Sequence, residues 1–307
     1  TDVEQIHVTA GAHQAIALTV GALAASGDAV AVESPSYPGI FDIIDTLGAR
    51  PVPVPADRAG LIPTELERAL GEHRPKVLYL QTGPHNPTGR MPSPGRLRAL
   101  AEVLDRHETV VVEDCALAEL AFGGRLRPEL ADLCRRAVVA SVGSFSKVAW
   151  GGLRIGWLRA PAPLIERTMY LRLANDLGPS VPAQLLAIQL LAHLEELGAR
   201  RRSILAAAVE RAIGCLRADV PEWKLSQPEG GSVLWAELPI ADSGPFVRLA
   251  GRHGVHVAPG SIATPDRRPS PYVRICVDRP WVTVDAGLQR LGLAWREVCA
   301  DTGPVLG

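Results

Sequence analysis

The alternation of buried strands with helices over the first half of the chain restricts the fold most strongly. Short runs rich in Val and Leu occur at residues 29–33, 76–81, 109–114, 137–142 and 153–159. Helical patterns lie among them, at residues 13–25, 40–47, 63–72 and 94–106. Near-continuous apolar strands are typical of a parallel sheet covered on both faces, and intervening helices are typical of βαβ crossovers. The sequence therefore predicts an α/β fold, with a mainly parallel sheet sandwiched by helices.

The pattern changes in the second half of the chain. Two helical stretches, at residues 163–175 and 181–218, are followed by strands at 225–237, 255–258 and 272–277 and by helices at 244–253 and 284–298. We interpret this as a large domain over residues 1–205 and a smaller α+β C-terminal domain over residues 206–307. Because patterned sequence begins almost immediately after Thr1, we expect that an N-terminal segment is missing from this chain.

Composition excludes several classes of function. The formal net charge is −1 and there is no basic run, so we expect no nucleic acid partner for this chain. No apolar run is long enough to span a membrane and no signal peptide opens the sequence, which predicts a cytoplasmic protein. The five cysteines are scattered without metal-ligand spacing, so we expect free thiols and no metal site.

Ligands of open α/β sheets bind beyond the carboxyl ends of the strands, so the loops at those ends are the candidate functional segments. Gly11 and Ala12 follow a strand-like run and open a helix, which allows backbone N–H groups to approach a phosphate. Taken alone, Gly11 and Ala12 are better explained as a plain helix start. Tyr37 lies in a proline-stiffened loop and could stack on a flat ring, or it could be an ordinary packed tyrosine.

Two further loops carry polar groups. Asn86 follows residues 76–81 between prolines, where its amide can donate to a ligand oxygen, whereas the neighbouring His85 is better explained as structural. Asp114 ends an apolar strand, and burial of its charge is costly unless a partner is present. A protonated ring nitrogen is one such partner; solvent or a helix N-terminus is another.

The segment from Ser144 to Arg154 contains the candidate nucleophile. Lys147 follows a strand, where burial and nearby charge can lower its pKa enough for Schiff-base formation. Ser144 and the planar fork of Arg154 could then bind a phosphate. Taken one at a time, Lys147 and Arg154 are better explained as surface residues.

Two other enzyme classes fit less well. The spacing of Ser144 and Lys147 matches the SxxK motif of penicillin-binding acyl enzymes, but no Lys-Thr-Gly follows and no signal peptide is present. A dinucleotide-binding fold is excluded because no G-x-G-x-x-G motif opens a helix after a strand.

The order and spacing of these motifs resemble the fold-type I pyridoxal-phosphate (PLP) enzymes of the aspartate aminotransferase superfamily. The resemblance covers nearly the whole chain and implies that Lys147 carries the cofactor as a Schiff base. It also implies that Asp114 bonds the pyridine nitrogen, that Asn86 bonds the phenolic oxygen and that Tyr37 stacks on the ring. Arg274 matches the arginine that grips the substrate carboxylate.

The same resemblance implies a phosphate site formed by Gly11, Ala12, Ser144 and Arg154. It predicts a PLP-dependent aminotransferase that acts on an amino acid and a 2-oxo acid, within a homodimer. The segment from residue 143 to 157 is most similar to the aminotransferase-like half of MocR-type regulators, which carry a winged helix upstream. Two alternatives therefore remain, an effector-sensing regulator domain and another PLP reaction such as decarboxylation.

The chain departs from the family at two kinds of position. Ala116 and Leu117 stand where the family often has a tyrosine that bonds the cofactor phenolate. Ala10 and Ala12 replace a phosphate-binding hydroxyl residue, and the relatives' N-terminal arm precedes Thr1. We therefore expect cofactor binding with weak transamination, and the side-chain specificity stays open.

Overall fold

The computed structural model describes residues 1–124 and 129–302. Twelve strands occur among the described residues: β1 (Ile6–Thr9), β2 (Ala29–Ser34), β3 (Arg50–Asp57), β4 (Gly60–Leu61), β5 (Val77–Gln81), β6 (Val110–Asp114), β7 (Val139–Ser144), β8 (Gly156–Arg159), β9 (Lys224–Leu225), β10 (Val233–Glu237), β11 (Ala258–Pro259) and β12 (Tyr272–Cys276). Ten α-helices accompany them in the same ranges: α1 (Ala12–Leu23), α2 (Pro38–Leu47), α3 (Pro63–His73), α4 (Pro94–Leu104), α5 (Leu130–Leu133), α6 (Ala162–Leu173), α7 (Val181–Leu191), α8 (Leu194–Asp219), α9 (Gly244–Arg252) and α10 (Trp281–Thr302).

The larger sheet has eight strands in the order β1-β8-β7-β6-β5-β2-β3-β4. Neighbours from β7 to β3 pair in parallel, whereas β8, β1 and β4 pair antiparallel. The central strands β2 and β5 are buried along most of their length, and helices pack against both faces. The predicted α/β fold with a mainly parallel, helix-covered sheet is confirmed.

Strand β3 was missed by the sequence analysis because it contains Pro51, Pro53 and Pro55. The prolines occupy alternate positions, so their missing N–H groups all fall on one side of the strand. The intervening Val52 and Val54 are buried, and the register with β2 is unbroken. Antiparallel pairing with β4 on the outer side begins only at Ala56, beyond the last of these prolines.

The second sheet has four strands in the order β11-β12-β10-β9 and is antiparallel throughout. It packs with α8, α9 and α10 around its own apolar core, which includes Trp223, Phe246 and Trp295. These elements have the α+β character predicted for the C-terminal part. The division after residue 205 falls within the continuous helix α8 and stays a prediction.

Two predicted elements are subdivided in the structure. The prediction of a single strand over residues 225–237 is wrong. The structure has two strands, β9 and β10, and a turn containing Gly230 and Gly231 separates them. Gly230 packs against the loop after β5, and a Cβ there would lie 2.5 Å from Pro84 Cγ. The helical stretch over residues 181–218 is divided into α7 and α8 at residues 192–193.

Candidate active site

The carboxyl ends of β2, β5, β6 and β7 surround a cavity of about 390 Å³. Eight of the nine residues selected from the sequence line it: Ala12, Tyr37, Asn86, Asp114, Ser144, Lys147, Arg154 and Arg274. The ninth, Gly11, lies beside it as the residue that precedes α1. The loops that sequence analysis treated separately therefore meet at one place, because the ends of parallel strands share one edge of the sheet.

Asp114 is the buried carboxylate at the centre of this edge. Its Oδ2 accepts a hydrogen bond from Tyr79 Oη at 2.6 Å, and its Oδ1 accepts one from the backbone N–H of Ala116 at 2.9 Å. Burial raises the pKa of Asp114, and these two donors partly oppose that effect. Within the described residues Asp114 forms no ion pair, so a cation from outside the chain fits here.

Arg274 reaches the cavity from the second sheet, where β12 places it between Trp235 and Ala258 of the flanking strands. Its Nη1 donates to Asn86 Oδ1 at 3.0 Å. No carboxylate pairs with Arg274 among the residues that the structure describes. Its guanidinium is therefore available for an external carboxylate.

Gln81 and Glu33 hold the backbone of Asn86 in place, and nothing in the sequence pattern singled out either of them. Gln81 Oε1 accepts from Asn86 N at 3.0 Å and Gln81 Nε2 donates to Asn86 O at 3.1 Å. Glu33 Oε1 in turn accepts from the backbone N–H of Gln81 at 2.7 Å. His85 does not line the cavity; its Nδ1 lies 2.8 Å from Thr88 Oγ1, in keeping with a structural role.

The start of α1 and Arg154 form a cationic recess in the wall of the cavity. Gly11 has a φ of 97°, which favours glycine, and a Cβ there would lie 2.8 Å from Arg154 Nη2. Arg154 Nη2 donates to Ala10 O at 2.6 Å, which holds the guanidinium against the helix start. The N–H groups of a first helical turn and a guanidinium both favour an anion, so this recess suits a phosphate.

Lys147 is exposed to the cavity just after β7. The turn before it is held by Ser144, whose Oγ accepts from Ser146 N at 3.1 Å and lies 3.4 Å from the carbonyl oxygen of Ile155. The hydroxyl of Ser144 is thus already engaged within its own loop. Lys147 takes part in none of the ion pairs found among the described residues, which leaves its amine free for a ligand.

Tyr37 lies across the start of α2, where the absence of a side chain at Gly39 makes room for its ring. His13, in the first turn of α1, meets that ring edge-on, with the two ring centroids 6.3 Å apart. The Tyr37 hydroxyl and His13 Nδ1 are 3.4 Å apart. His13 lines the cavity and was missed from the sequence, where nothing distinguishes it from a solvent-facing helical residue.

Comparison with known proteins decides the family. The profile of the family described as "Aminotransferase class I and II" matches residues 1–291. The chain belongs to this family. A 2-aminoadipate transaminase of Thermus thermophilus is 34% identical over 265 residues, which cover 84% of this chain and 66% of that protein. The HTH-type transcriptional regulator YdcR of Escherichia coli is 32% identical over 290 residues, which cover 91% of this chain and 60% of the regulator.

Solved structures show the same relationship. The structure of LysN of Thermus thermophilus, an alpha-aminoadipate aminotransferase complexed with N-(5'-phosphopyridoxyl)-L-leucine, superposes with a TM-score of 0.90. It is 29% identical, and the match covers 97% of this chain and 78% of that one. The fold-type I resemblance is therefore confirmed, and PLP is the cofactor of this family.

The cavity of this aminotransferase-family chain fits that cofactor. Asp114 supplies a buried carboxylate that has no cation as partner among the described residues, as a protonated pyridine nitrogen requires. Arg154 and the start of α1 suit the phosphate, and the free amine of Lys147 lies in the same cavity. Leu117, at the position where the resemblance predicts a tyrosine in many family members, also lines this cavity.

Proposed function

We propose that the chain is a PLP-dependent aminotransferase-type enzyme that moves an amino group between an amino acid and a 2-oxo acid. One observation carries this proposal above the others. A buried carboxylate with no internal counter-ion, Asp114, shares one cavity with three cations that have no carboxylate partner among the described residues, namely Lys147, Arg154 and Arg274. A phosphate, a pyridinium and a substrate carboxylate would pair with Arg154, Asp114 and Arg274 respectively, and the amine of Lys147 would bind the cofactor aldehyde.

Each residue then has a separate task. The backbone at Gly11 and Ala12 and the guanidinium of Arg154 hold the phosphate, while Asp114 holds the proton on the pyridine nitrogen. Asn86 uses its Oδ1 as acceptor for Arg274, so its Nδ2 is left to donate to the phenolic oxygen. Bound PLP supplies an electron sink for the carbanion that forms at the substrate Cα.

Lys147 would bind the cofactor covalently and would then transfer the substrate proton. Its Nζ would accept the proton from the substrate Cα as a general base and would later release that proton as a general acid. Tyr37 would pack against the flat ring of the cofactor, and the contact with His13 fixes the orientation of the Tyr37 side chain. Arg274 binds the substrate carboxylate through two parallel N–H donors, which orients the Cα–H bond toward Lys147.

A second candidate function is effector sensing, in which the same cavity binds PLP and an amino acid without transfer. The similarity to the regulator YdcR favours it, and so does Leu117 at a position where the family often has tyrosine. Since the chain spans only 60% of that regulator and 66% of the Thermus transaminase, the activity of the complete protein is part of this proposal.

A turnover assay separates the two functions. The purified chain, loaded with PLP, is incubated with each of the common amino acids and 2-oxoglutarate, and keto acid, glutamate and carbon dioxide are measured. Keto acid together with glutamate supports the aminotransferase, and carbon dioxide release indicates decarboxylation. Spectral changes on amino acid binding with no product in any assay would instead support the sensor.

We also propose that the active unit is a homodimer, in which a second copy covers the outer face of α7. This helix is apolar nearly all round, yet Ala187 is its one buried residue. Leu185 is 59% exposed and Ile188 is 58% exposed. An all-round apolar helix is typical of a buried position. Ala187 of α7 belongs to the same apolar cluster as Phe145 and Val148, which lie on either side of Lys147 in the chain, so the covered face would adjoin the active site.

A further inference from the structure

We propose that Tyr79 is a positioning residue for the cofactor, acting through Asp114 to orient that carboxylate and keep it ionised opposite the pyridine nitrogen. The inference deepens the proposed function and rests on it. Tyr79 is not among the residues that line the cavity, so it would act only through its neighbour.

The geometry follows from the pairing of two parallel strands. In the register of β5 and β6, Tyr79 lies beside Val112 and Gln81 lies beside Asp114. The long side chain of Tyr79 spans that two-residue offset and brings its hydroxyl to 2.6 Å from Asp114 Oδ2. Tyr79 has no exposed surface and belongs to the apolar core beneath α1 and α2, so its ring is fixed by packing.

The direction of this hydrogen bond is determined by the chemistry of the pair. Burial and the charge of Asp114 raise the pKa of Tyr79 well above its ordinary value, so the phenol keeps its proton and donates. Asp114 Oδ2 accepts the hydrogen bond from Tyr79 Oη, while Oδ1 accepts the one from the backbone N–H of Ala116. Each oxygen therefore has one internal donor, and the remaining lone pairs are available to the cavity.

Two consequences follow for the cofactor. First, the carboxyl group is held at both oxygens, so it needs no reorientation when a protonated ring nitrogen arrives. Second, a donor to the charged form lowers the proton affinity of a buried carboxyl group. Without Tyr79, only the N–H of Ala116 would oppose the effect of burial on the pKa of Asp114, and a carboxyl group that binds its own proton more readily holds the proton on the ring nitrogen less well.

The test is cofactor binding to the apo-protein, with turnover left aside. PLP is compared with its 1-deaza analogue, in which a CH group replaces the ring nitrogen and no contact with Asp114 can be charged. Because hydrogen bonds to charged groups are among the stronger ones, we expect Tyr79→Phe to weaken PLP binding about tenfold. Binding of the analogue should change less than about twofold.

A double-mutant cycle shows whether Tyr79 acts through Asp114. In an Asp114→Ala background, Tyr79→Phe should have less than about a twofold further effect on PLP affinity, because the acceptor is gone. Tyr272→Phe is the matched control, since it deletes a tyrosine hydroxyl that donates to another carboxylate, Glu237, at 3.2 Å. That control should leave the ratio of the two affinities unchanged.

The outcomes are distinguishable. Equal losses for PLP and the analogue, or additive effects of Tyr79→Phe and Asp114→Ala, would mean a purely structural role and overturn the proposal. If Tyr79→Phe does not fold, 3-fluorotyrosine at position 79 keeps the ring with a more acidic hydroxyl; a change in PLP affinity not shared by the analogue supports the proposal, and no change overturns it. Failure of the parent apo-protein to bind PLP would refute the proposed function itself.

Discussion

Arg274 Nη1 donates to Asn86 Oδ1 across 3.0 Å, and this hydrogen bond joins the second sheet to the loop after β5. The contact links the residue assigned to the substrate with a residue assigned to the cofactor. In the absence of any carboxylate partner among the described residues, the amide oxygen is a weak substitute for one. An incoming substrate carboxylate should therefore compete for the same guanidinium.

Replacement of Arg274 by lysine tests this assignment. Lysine keeps the charge but loses the two parallel donors, so Arg274→Lys should raise the amino acid concentration needed for half-saturation about ten- to a hundredfold. PLP affinity should change less than about twofold. Arg290→Lys is the control, because Arg290 donates to the carbonyl of Gly254, away from this cavity. Equal losses for amino acids and for simple amines would contradict a carboxylate-binding role.

Lys147 should be the site of covalent attachment. Borohydride reduction of the PLP-loaded chain, followed by peptide mapping, should place the pyridoxyl group on Lys147. The chain has only two other lysines, Lys76 and Lys224, and both are exposed residues outside the cavity. Lys147→Ala should abolish the label, while Lys76→Ala should leave it unchanged. Labelling at Lys76 or Lys224 would make the site assignment wrong.

Leu117 lines the cavity where a hydroxyl donor to the phenolic oxygen is common in the family. With Asn86 as the main remaining donor, negative charge on that oxygen should favour a proton on the cofactor imine. We expect the loaded protein to be yellow at neutral pH. Leu117→Tyr should lower the apparent pKa of the spectral transition in a spectrophotometric titration, because a restored donor stabilises the phenolate. A titration curve unchanged by Leu117→Tyr would show that the position does not face the phenolic oxygen.

The apolar outer face of α7 should be covered by a second copy. Leu185→Asp places a charge on that face and should convert a dimer to a monomer in sedimentation velocity, because burial of an unpaired charge is strongly unfavourable. Leu293→Asp makes the same change on α10 at a comparable exposure, 50% against 59% for Leu185. It should leave the dimer intact. A monomeric parent protein with full cofactor binding would refute the proposed assembly.

Glu33 should make the stability of the protein depend on pH. Burial raises the pKa of Glu33 from 4.5 to about 8, so between these values the folded chain binds a proton that the unfolded chain has released. The free energy of unfolding should therefore fall as pH rises through this range. The buried His85, whose pKa is lowered from 6.5 to about 4, has the opposite effect below pH 6.5.

The range from pH 6.5 to 8 lies above the pKa of His85 and extends up to that of Glu33. Glu33→Gln should reduce the decline in that range, by at most about 1.4 kcal/mol per pH unit. Urea denaturation at several pH values measures it, with Glu102→Gln on α4 as an exposed control for the same charge change. Parallel stability curves for the parent and Glu33→Gln would show that Glu33 is not protonated in the folded protein.

Local sequence predicted the strands that carry the site, because a strand buried on both faces must be apolar almost throughout. Strand β3 could not be predicted from its apolar pattern, because it contains three prolines and proline normally argues against a strand. The valines between the prolines of β3 face the core, but only the pairing with β2 shows that this alternation belongs to the sheet.

The sequence by itself determined which strand-end residues can carry the chemistry, among them Asp114, Asn86 and Lys147. Each motif is ambiguous alone, and it is their common order and spacing, which resemble those of a known family, that selected these residues. Only the tertiary structure revealed Tyr79 and Gln81. Tyr79 holds Asp114 from the neighbouring strand β5, and Gln81 holds the backbone of Asn86 from the start of the loop that follows β5. Strand register and side-chain reach decide such contacts, and neither leaves a periodic signal along the chain, because the partners come together only when the sheet is assembled.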